Sequence, residues 1–188
     1  GTGRKESVKE PEDRERHERE EEYQIKDARE EEYRIRKARK EDLEAVAEIE
    51  RRSIPDPWSR KGFAEALGRP EVIFLVAEKE AERRKIAGYC VLYTAADEGE
   101  IPTIAVDAGS RRRGMAAKLL RAVFAGAKER GVKRIYLEAR QSNAGALALY
   151  SSCGFVVDGK RPGFYSNPTE DAVLLHRELA AAEGAADA

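Results

Sequence analysis

Apolar residues recur along the chain with two periods, and the points where one gives way to the other delimit the elements. Tyr33, Ile35 and Lys37 fall on one side of a two-residue alternation, which predicts a strand. Glu41 and Asp42 then bring negative charge to a first helical turn. Leu43, Val46, Ala47 and Ile49 or Glu50 follow at three-to-four spacing, so a helix is expected to run to about Ser53. Ile54-Pro55-Asp56-Pro57-Trp58 cannot be helical throughout, because its two prolines hold the backbone extended. Ser59 can cap a short helix ending at Leu67, with Phe63 and Leu67 as its apolar stripe. Residues 72–78 and 86–94 are rich in strand formers and are separated by a charged segment, the pattern of an antiparallel hairpin. A strand over 100–106 precedes a helix whose buried side carries Ala117, Leu119, Leu120, Val123, Phe124 and Ala127. Strands over 133–139 and 172–179, with a helix opened by Asn143 between them, complete an α+β chain of the three-layer α/β kind.

Composition limits what such a chain can be. At 188 residues it holds one domain and an appendage, and 35 basic against 36 acidic residues leave a formal net charge of -1. No global field draws it to nucleic acid or to an anionic membrane, and neither partner is expected. No apolar run approaches the roughly 20 residues of a membrane span, and no signal-peptide core is evident, so the expected address is cytoplasmic. Cys90 and Cys153 lack metal-ligand spacing, and His17 and His176 lie outside any HExxH pattern; no metal is expected.

Charge is unevenly spread. Residues 1–40 hold 13 basic and 13 acidic side chains, and within residues 1–19 the only aliphatic one is Val8. Such a stretch cannot bury enough apolar surface to offset chain entropy, so residues 1–32 are expected to be a disordered or helical tail, a solvated spacer or a docking arm. A ten-residue repeat spans 21–30 and 31–40. An even period keeps Tyr and Ile on one face of a strand, whereas in a helix the second copy would be rotated by roughly 80°. The folded domain is therefore placed at 33–179, with a flexible tail over 180–188.

The end of the 100–106 strand carries the first candidate chemistry. Ile104-Ala105-Val106 leads into Asp107-Ala108-Gly109-Ser110-Arg111-Arg112-Arg113-Gly114-Met115-Ala116, a basic, glycine-bearing turn that opens a helix. Unpaired N–H groups and the positive end of the helix dipole suit an anion there, although a capped surface turn with solvated arginines has the same pattern. It is neither a Walker loop nor a GxGxxG dinucleotide turn. Glu138 ends the next strand, on the side where open α/β sheets place ligands. Asn143 and Tyr150, seven residues apart, share one helical face, so all three can line a cleft.

Taken together, Ile104-Ala105-Val106, Arg111-x-x-Gly114-x-Ala116, Tyr136-Leu137-Glu138-Ala139-Arg140, Ser142-Asn143 and Ala148-Leu149-Tyr150-x-x-x-Gly154-Phe155 resemble the GNAT acetyltransferase superfamily, and within it the RimI/Ard1-type protein N-terminal acetyltransferases. The resemblance covers about residues 33–179. It implies a mixed, mostly antiparallel twisted sheet of about seven strands with four or so helices, splayed to admit acetyl-CoA. By the same resemblance Arg111 to Ala116, with Arg112, Arg113, Gly114 and Met115, hold the CoA pyrophosphate, and Ala116 stands where glycine is more frequent. Backbone amides of Ile104, Ala105 and Val106 face the oxyanion, Asn143 binds the pantetheine arm, Glu138 is general base, and Tyr150, near the thioester, is general acid. Trp58, Phe164 and Tyr165 fall in the substrate-contacting loops, Phe164 replacing a frequent tyrosine and Trp58 serving equally as a packing anchor. The implied acceptor is a protein N-terminus, such as that of a ribosomal protein or nascent chain, met by a monomer or weak dimer. The alternatives are an acetyltransferase acting on a lysine or on a small amine, among which acidic residues crowding the acceptor cleft would favour a polyamine, and a non-catalytic CoA-binding module. No acidic cluster is evident near Trp58 and Tyr165.

Overall fold

The computed structural model describes residues 33–81 and 85–180. The first copy of the repeat, the 1–32 segment and the chain after residue 180 lie outside the described residues. Tyr33–Lys37 forms β1, Leu43–Ser53 α1, Arg60–Leu67 α2, Val72–Lys79 β2, Lys85–Ala95 β3, Glu98–Val106 β4, Met115–Glu129 α3, Arg134–Arg140 β5, Ala144–Ser152 α4, Val156–Tyr165 β6 and Glu170–Glu178 β7. The strands make one sheet in the order β1-β2-β3-β4-β5-β7-β6. Every pairing is antiparallel except β4 with β5.

Two apolar cores cover the two faces, and the two-residue strand period assigns residues to them. On β2, Ile73 joins one core while Val72 and Phe74 join the other; on β3, Cys90 and Leu92 part from Tyr89 and Val91 in the same way. The first core is closed by Leu119, Leu120, Val123 and Phe124 of α3, the second by Leu43 and Val46 of α1 and Phe63 of α2. Ser59 caps α2 by accepting from the Gly62 amide at 3.3 Å. The three-layer arrangement expected from the alternating patterns follows.

Asp42 departs from its expected place. A short 3-10 turn over Lys40–Asp42 precedes α1, and Asp42 is buried rather than solvated in the first helical turn. Its carboxylate accepts from the Arg39 amide at 2.7 Å and from both Arg36 terminal nitrogens at 2.7 and 2.9 Å, while Arg36 Nε reaches Glu78 at 2.9 Å. Burial would raise the Asp42 pKa, but hydrogen bonds from Arg36 and the Arg39 amide outweigh it and hold the carboxyl below its ordinary value. This cluster pins β1, the sheet's first edge strand, to β2 and to the start of α1.

Removing one partner strands the others in a low-dielectric site. Asp42→Ala should cost about 3 kcal/mol, the lower part of the range for a broken buried pair because Glu78 stays with Arg36. A depressed carboxylate stabilises the fold above its unfolded pKa of about 3.9, and that stabilisation is lost as pH falls through the lower folded value. Urea titrations across that window should therefore show the gap between wild type and variant closing toward acid; a constant gap would contradict the pairing.

Candidate active site

β4 and β5 pair at only three positions, Glu98 with Arg134, Gly99 with Ile135 and Glu100 with Tyr136. Beyond them β4 runs on through Val106 and β5 through Arg140 with no further pairing between the two. Facing main-chain groups along this parting are left without a sheet partner, which makes them available to a ligand. A register irregularity against β3 between Val91 and Tyr93 puts an extra residue into β4 at the point of parting: Tyr93 faces Glu100, and Val91 faces Thr103. Bulges of this kind re-aim side chains and amides.

A cleft of about 770 Å³ occupies the opening. It is lined by Ile104, Ala105 and Val106 from β4, by Arg111, Arg112, Gly114, Met115 and Ala116 from the turn into α3, by Glu138 from β5, by Asn143 and Tyr150 of α4, and by Tyr165. Thus the residues singled out in the sequence come together, except three. Arg113 does not line this cleft; Trp58 packs against Phe63 and Tyr93 at ring-centroid distances of 5.3 and 6.1 Å; Phe164, 43% exposed, lies against Tyr165 and Arg161. Trp58 therefore occupies the packing position that its loop permitted.

The turn into α3 is shaped by its glycine. Gly114 is the N-cap with φ of 71°, a left-handed conformation that a side chain would strain, and among the described residues no side chain caps the helix end there. Its first amides are left for an external acceptor. Arg111 is turned away from that end: Nε donates to the Val106 carbonyl at 3.1 Å and a terminal nitrogen to Ser53 at 3.4 Å, tying β4 to α1. Asn143 uses its side-chain oxygen to cap α4 at Ala146, 3.1 Å, leaving its amide nitrogen as the group a ligand could take.

Glu138 stands where two cavities meet. A second groove of about 750 Å³ shares Leu137 and Glu138 with the first and is also lined by Glu71, Glu98, Glu100 and Asp158, with Arg161 the one lining cation among the described residues. This acidic wall was not legible near Trp58 and Tyr165, because its members come from the β2 approach, the β3–β4 hairpin and β6. Burial raises the Glu138 pKa, Arg161 at 3.8 Å partly opposes this, and Glu100 adds to the rise. Tyr150 is 7% exposed, and burial above all pushes its phenol up, so it keeps its proton. Its hydroxyl has no hydrogen-bond partner among the described residues.

The cleft is roofed by two loops that touch. Arg140 donates to the carbonyls of Ser166 and Pro168 at 2.7 and 2.9 Å and lies 4.6 Å over the Tyr165 ring, and Asp56 meets Ser166 and Asn167, each at 3.4 Å. Sequence reasoning missed this brace, and it missed Glu50. Buried at the end of α1, Glu50 accepts from Tyr89 and Thr103. The available signal was a charged residue falling on the apolar stripe of a helix.

A model of the acetyltransferase (GNAT) family matches residues 43–155. The ribosomal protein bS18-alanine N-acetyltransferase of Escherichia coli (strain K12) is 35% identical over 136 residues, spanning 71% of this chain and 89% of the relative. The crystal structure of the ribosomal-protein-S18-alanine N-acetyltransferase from Escherichia coli superposes with a TM-score of 0.72 at 30% identity, over 81% of this chain and 97% of that one. At 22% identity the crystal structure of the NatC complex bound to Gag peptide and CoA shares the fold, with a TM-score of 0.71 over 79% of this chain and 99% of that chain.

A carboxyl whose pKa rises on folding penalises the folded state once it ionises. Between its unfolded pKa of about 4.3 and its higher folded value, wild type should lose stability that Glu138→Gln keeps. Thermal midpoints of the two, scanned from about pH 4 to 8, should diverge in favour of the variant; convergence with rising pH would show that Glu138 is not desolvated.

Proposed function

The chain belongs to the GNAT family of acetyltransferases, and from that membership we propose that it transfers the acetyl group of acetyl-CoA to the α-amine of a protein N-terminus, such as that of a ribosomal protein or nascent chain. The observation that carries this reading is the position of Glu138, shared by the 770 Å³ cleft and the neighbouring groove at the parting of β4 and β5. One cavity suits the donor and the other the acceptor, with the carboxylate between them. The cleft has the size of a ligand site, and its bare helix end offers amides to the pyrophosphate beside Arg112. Asn143 Nδ2 is left to hold the pantetheine arm.

Acetyl-CoA supplies an activated acyl thioester. Glu138, acting directly or through a water, accepts a proton from the attacking amine, and the rise in its pKa makes it a better base. Amides of Ile104 to Val106 receive the oxyanion that develops as the amine nitrogen bonds to the acyl carbon. Tyr150 donates a hydrogen bond, and then its proton, to the sulfur as the C–S bond breaks. Its phenol is a weaker acid than a thiol of reference pKa about 8.5, so hydrogen bonding to the departing thiolate is its larger contribution. An α-amine, with pKa about 8 against about 10.4 for lysine, is the easier acceptor for a carboxylate base.

A second reading keeps the donor and exchanges the acceptor for a lysine side chain or a polyamine. The acidic lining by Glu71, Glu98, Glu100 and Asp158 favours it, since a polycation gains more there than a single ammonium. Thiol release from acetyl-CoA, followed with alanine-initiated peptides bearing free or blocked α-amines, lysine-containing blocked peptides and spermidine, separates the two. Free α-amines should be required; equal rates with blocked lysine peptides or spermidine would transfer the assignment. Glu138→Gln should lower kcat by about 10²–10³-fold and Tyr150→Phe by about 10-fold.

A further inference from the structure

Glu50 is 1% exposed, and among the described residues no cation pairs with it, in contrast to Asp42 and Glu78, which share Arg36. Its Oε2 accepts from the Tyr89 hydroxyl and from Thr103 Oγ1 at 2.6 Å, and the Trp58 amide lies 3.5 Å from Oε1, a long contact. Its partner Tyr89 belongs to an aromatic group: Phe63 stands edge-on to Tyr89 at 5.4 Å and tilted to Trp58 at 5.3 Å. Burying a carboxyl with no paired cation is costly, and a leucine would fill the same space without that cost. The placement of its partners gives a reason for the charge.

The three donors belong to three parts of the site: β3, the bulged stretch of β4, and the loop between α1 and α2. Past Glu100, β4 is held by β3 alone in the sheet, because β5 has parted from it. Thr103 immediately precedes the Ile104–Val106 amides, and Trp58 closes the loop whose Asp56 braces the β6–β7 turn. One carboxylate therefore links the strand that carries the amides to the loop that roofs the cleft. We propose that Glu50 is a positioning residue for acetyl transfer, acting through Thr103 and Trp58 to aim the β4 amides and seat that loop. The proposal rests on the acetyl-transfer reading above.

The test compares wild type with Glu50→Leu, Glu50→Gln and Thr103→Val in the thiol-release assay, well below each thermal midpoint, using whichever acceptor wild type turns over. Acetyl-CoA affinity is measured separately by calorimetry. Glu50→Leu and Thr103→Val should each lower kcat for the acceptor by about 10- to 100-fold, the scale of a misplaced reacting group or oxyanion donor, with acetyl-CoA affinity changed less than about 2-fold. Glu50→Gln should recover most of the loss, since its amide can still meet the Trp58 N–H and both hydroxyl oxygens. In the double variant Glu50→Leu with Thr103→Val, the effects should not multiply, because both act through one link. A lower midpoint with wild-type kcat would mean a merely structural role and overturn the proposal, as would Glu50→Gln as impaired as Glu50→Leu. Should Glu50→Leu fail to fold, Thr103→Val and Glu50→Gln decide. Wild type inert toward every acceptor would refute acetyl transfer and this role with it; an active wild type matched by its variants would refute the role alone.

Discussion

Three residue pairs hold the two halves of the sheet together, and everything functional follows from there being no fourth. β4 and β5 are the one parallel neighbours in the sheet, joined at Glu98–Glu100 and Arg134–Tyr136 and then free of each other. A continuous ladder would have consumed the main-chain groups of Ile104–Val106 that face β5 and closed the space that Glu138, Asn143 and Tyr150 line. Parting is stable because each strand keeps an antiparallel neighbour on its other side, β3 for β4 and β7 for β5. Apolar residues of both strands, Ile101 and Val106 of β4 and Ile135 and Leu137 of β5, stay in one core, so the opening costs main-chain pairing along one seam and little packing.

Polar links cluster where that seam would otherwise be loose. Arg111 ties the end of β4 back to Ser53, Glu50 ties the bulge to α1, and Arg140 ties the β6–β7 turn to β5. Hydrophobic contacts are tolerant of small slides, whereas a hydrogen bond loses most of its strength within a fraction of an ångström or a moderate tilt. Directional links at the rim of the cleft therefore fix its shape where apolar burial fixes only its closeness.

Much of the fold was legible in the chain because period and punctuation agreed: two prolines broke α1 from α2, Ser59 and Asn143 stood at caps, β1 and β5 alternated, and β2 and β3 stood out as runs of strand formers. The cleft was legible for a different reason. Its residues lie in short contiguous runs at the ends of consecutive strands, so Ile104–Val106, Arg111–Ala116, Glu138 and Tyr150 could be read in order. What escaped the sequence depended on distant partners. Asp42 looked like an N-terminal helix charge and proved to be the buried partner of Arg36. Glu50 looked interchangeable with Ile49 on the stripe, since nothing nearby announces Tyr89, 39 residues on, or Thr103, 53 residues on. The acidic wall of the groove is assembled from three separated segments, and Trp58 gave no sign whether it packed or reached out.

The entrance to α3 offers main-chain amides through a left-handed glycine that brings no capping side chain of its own. A surface built from the polypeptide itself is indifferent to most changes in the side chains around it, so long as the glycine and the small residue at Ala116 persist. Such a site is passed down a lineage as a contour more than as a set of letters. Evolutionary drift could then rewrite the arginines of this turn in descendants without dissolving the pocket, which accords with a fold held in common by chains that have kept under a third of their residues.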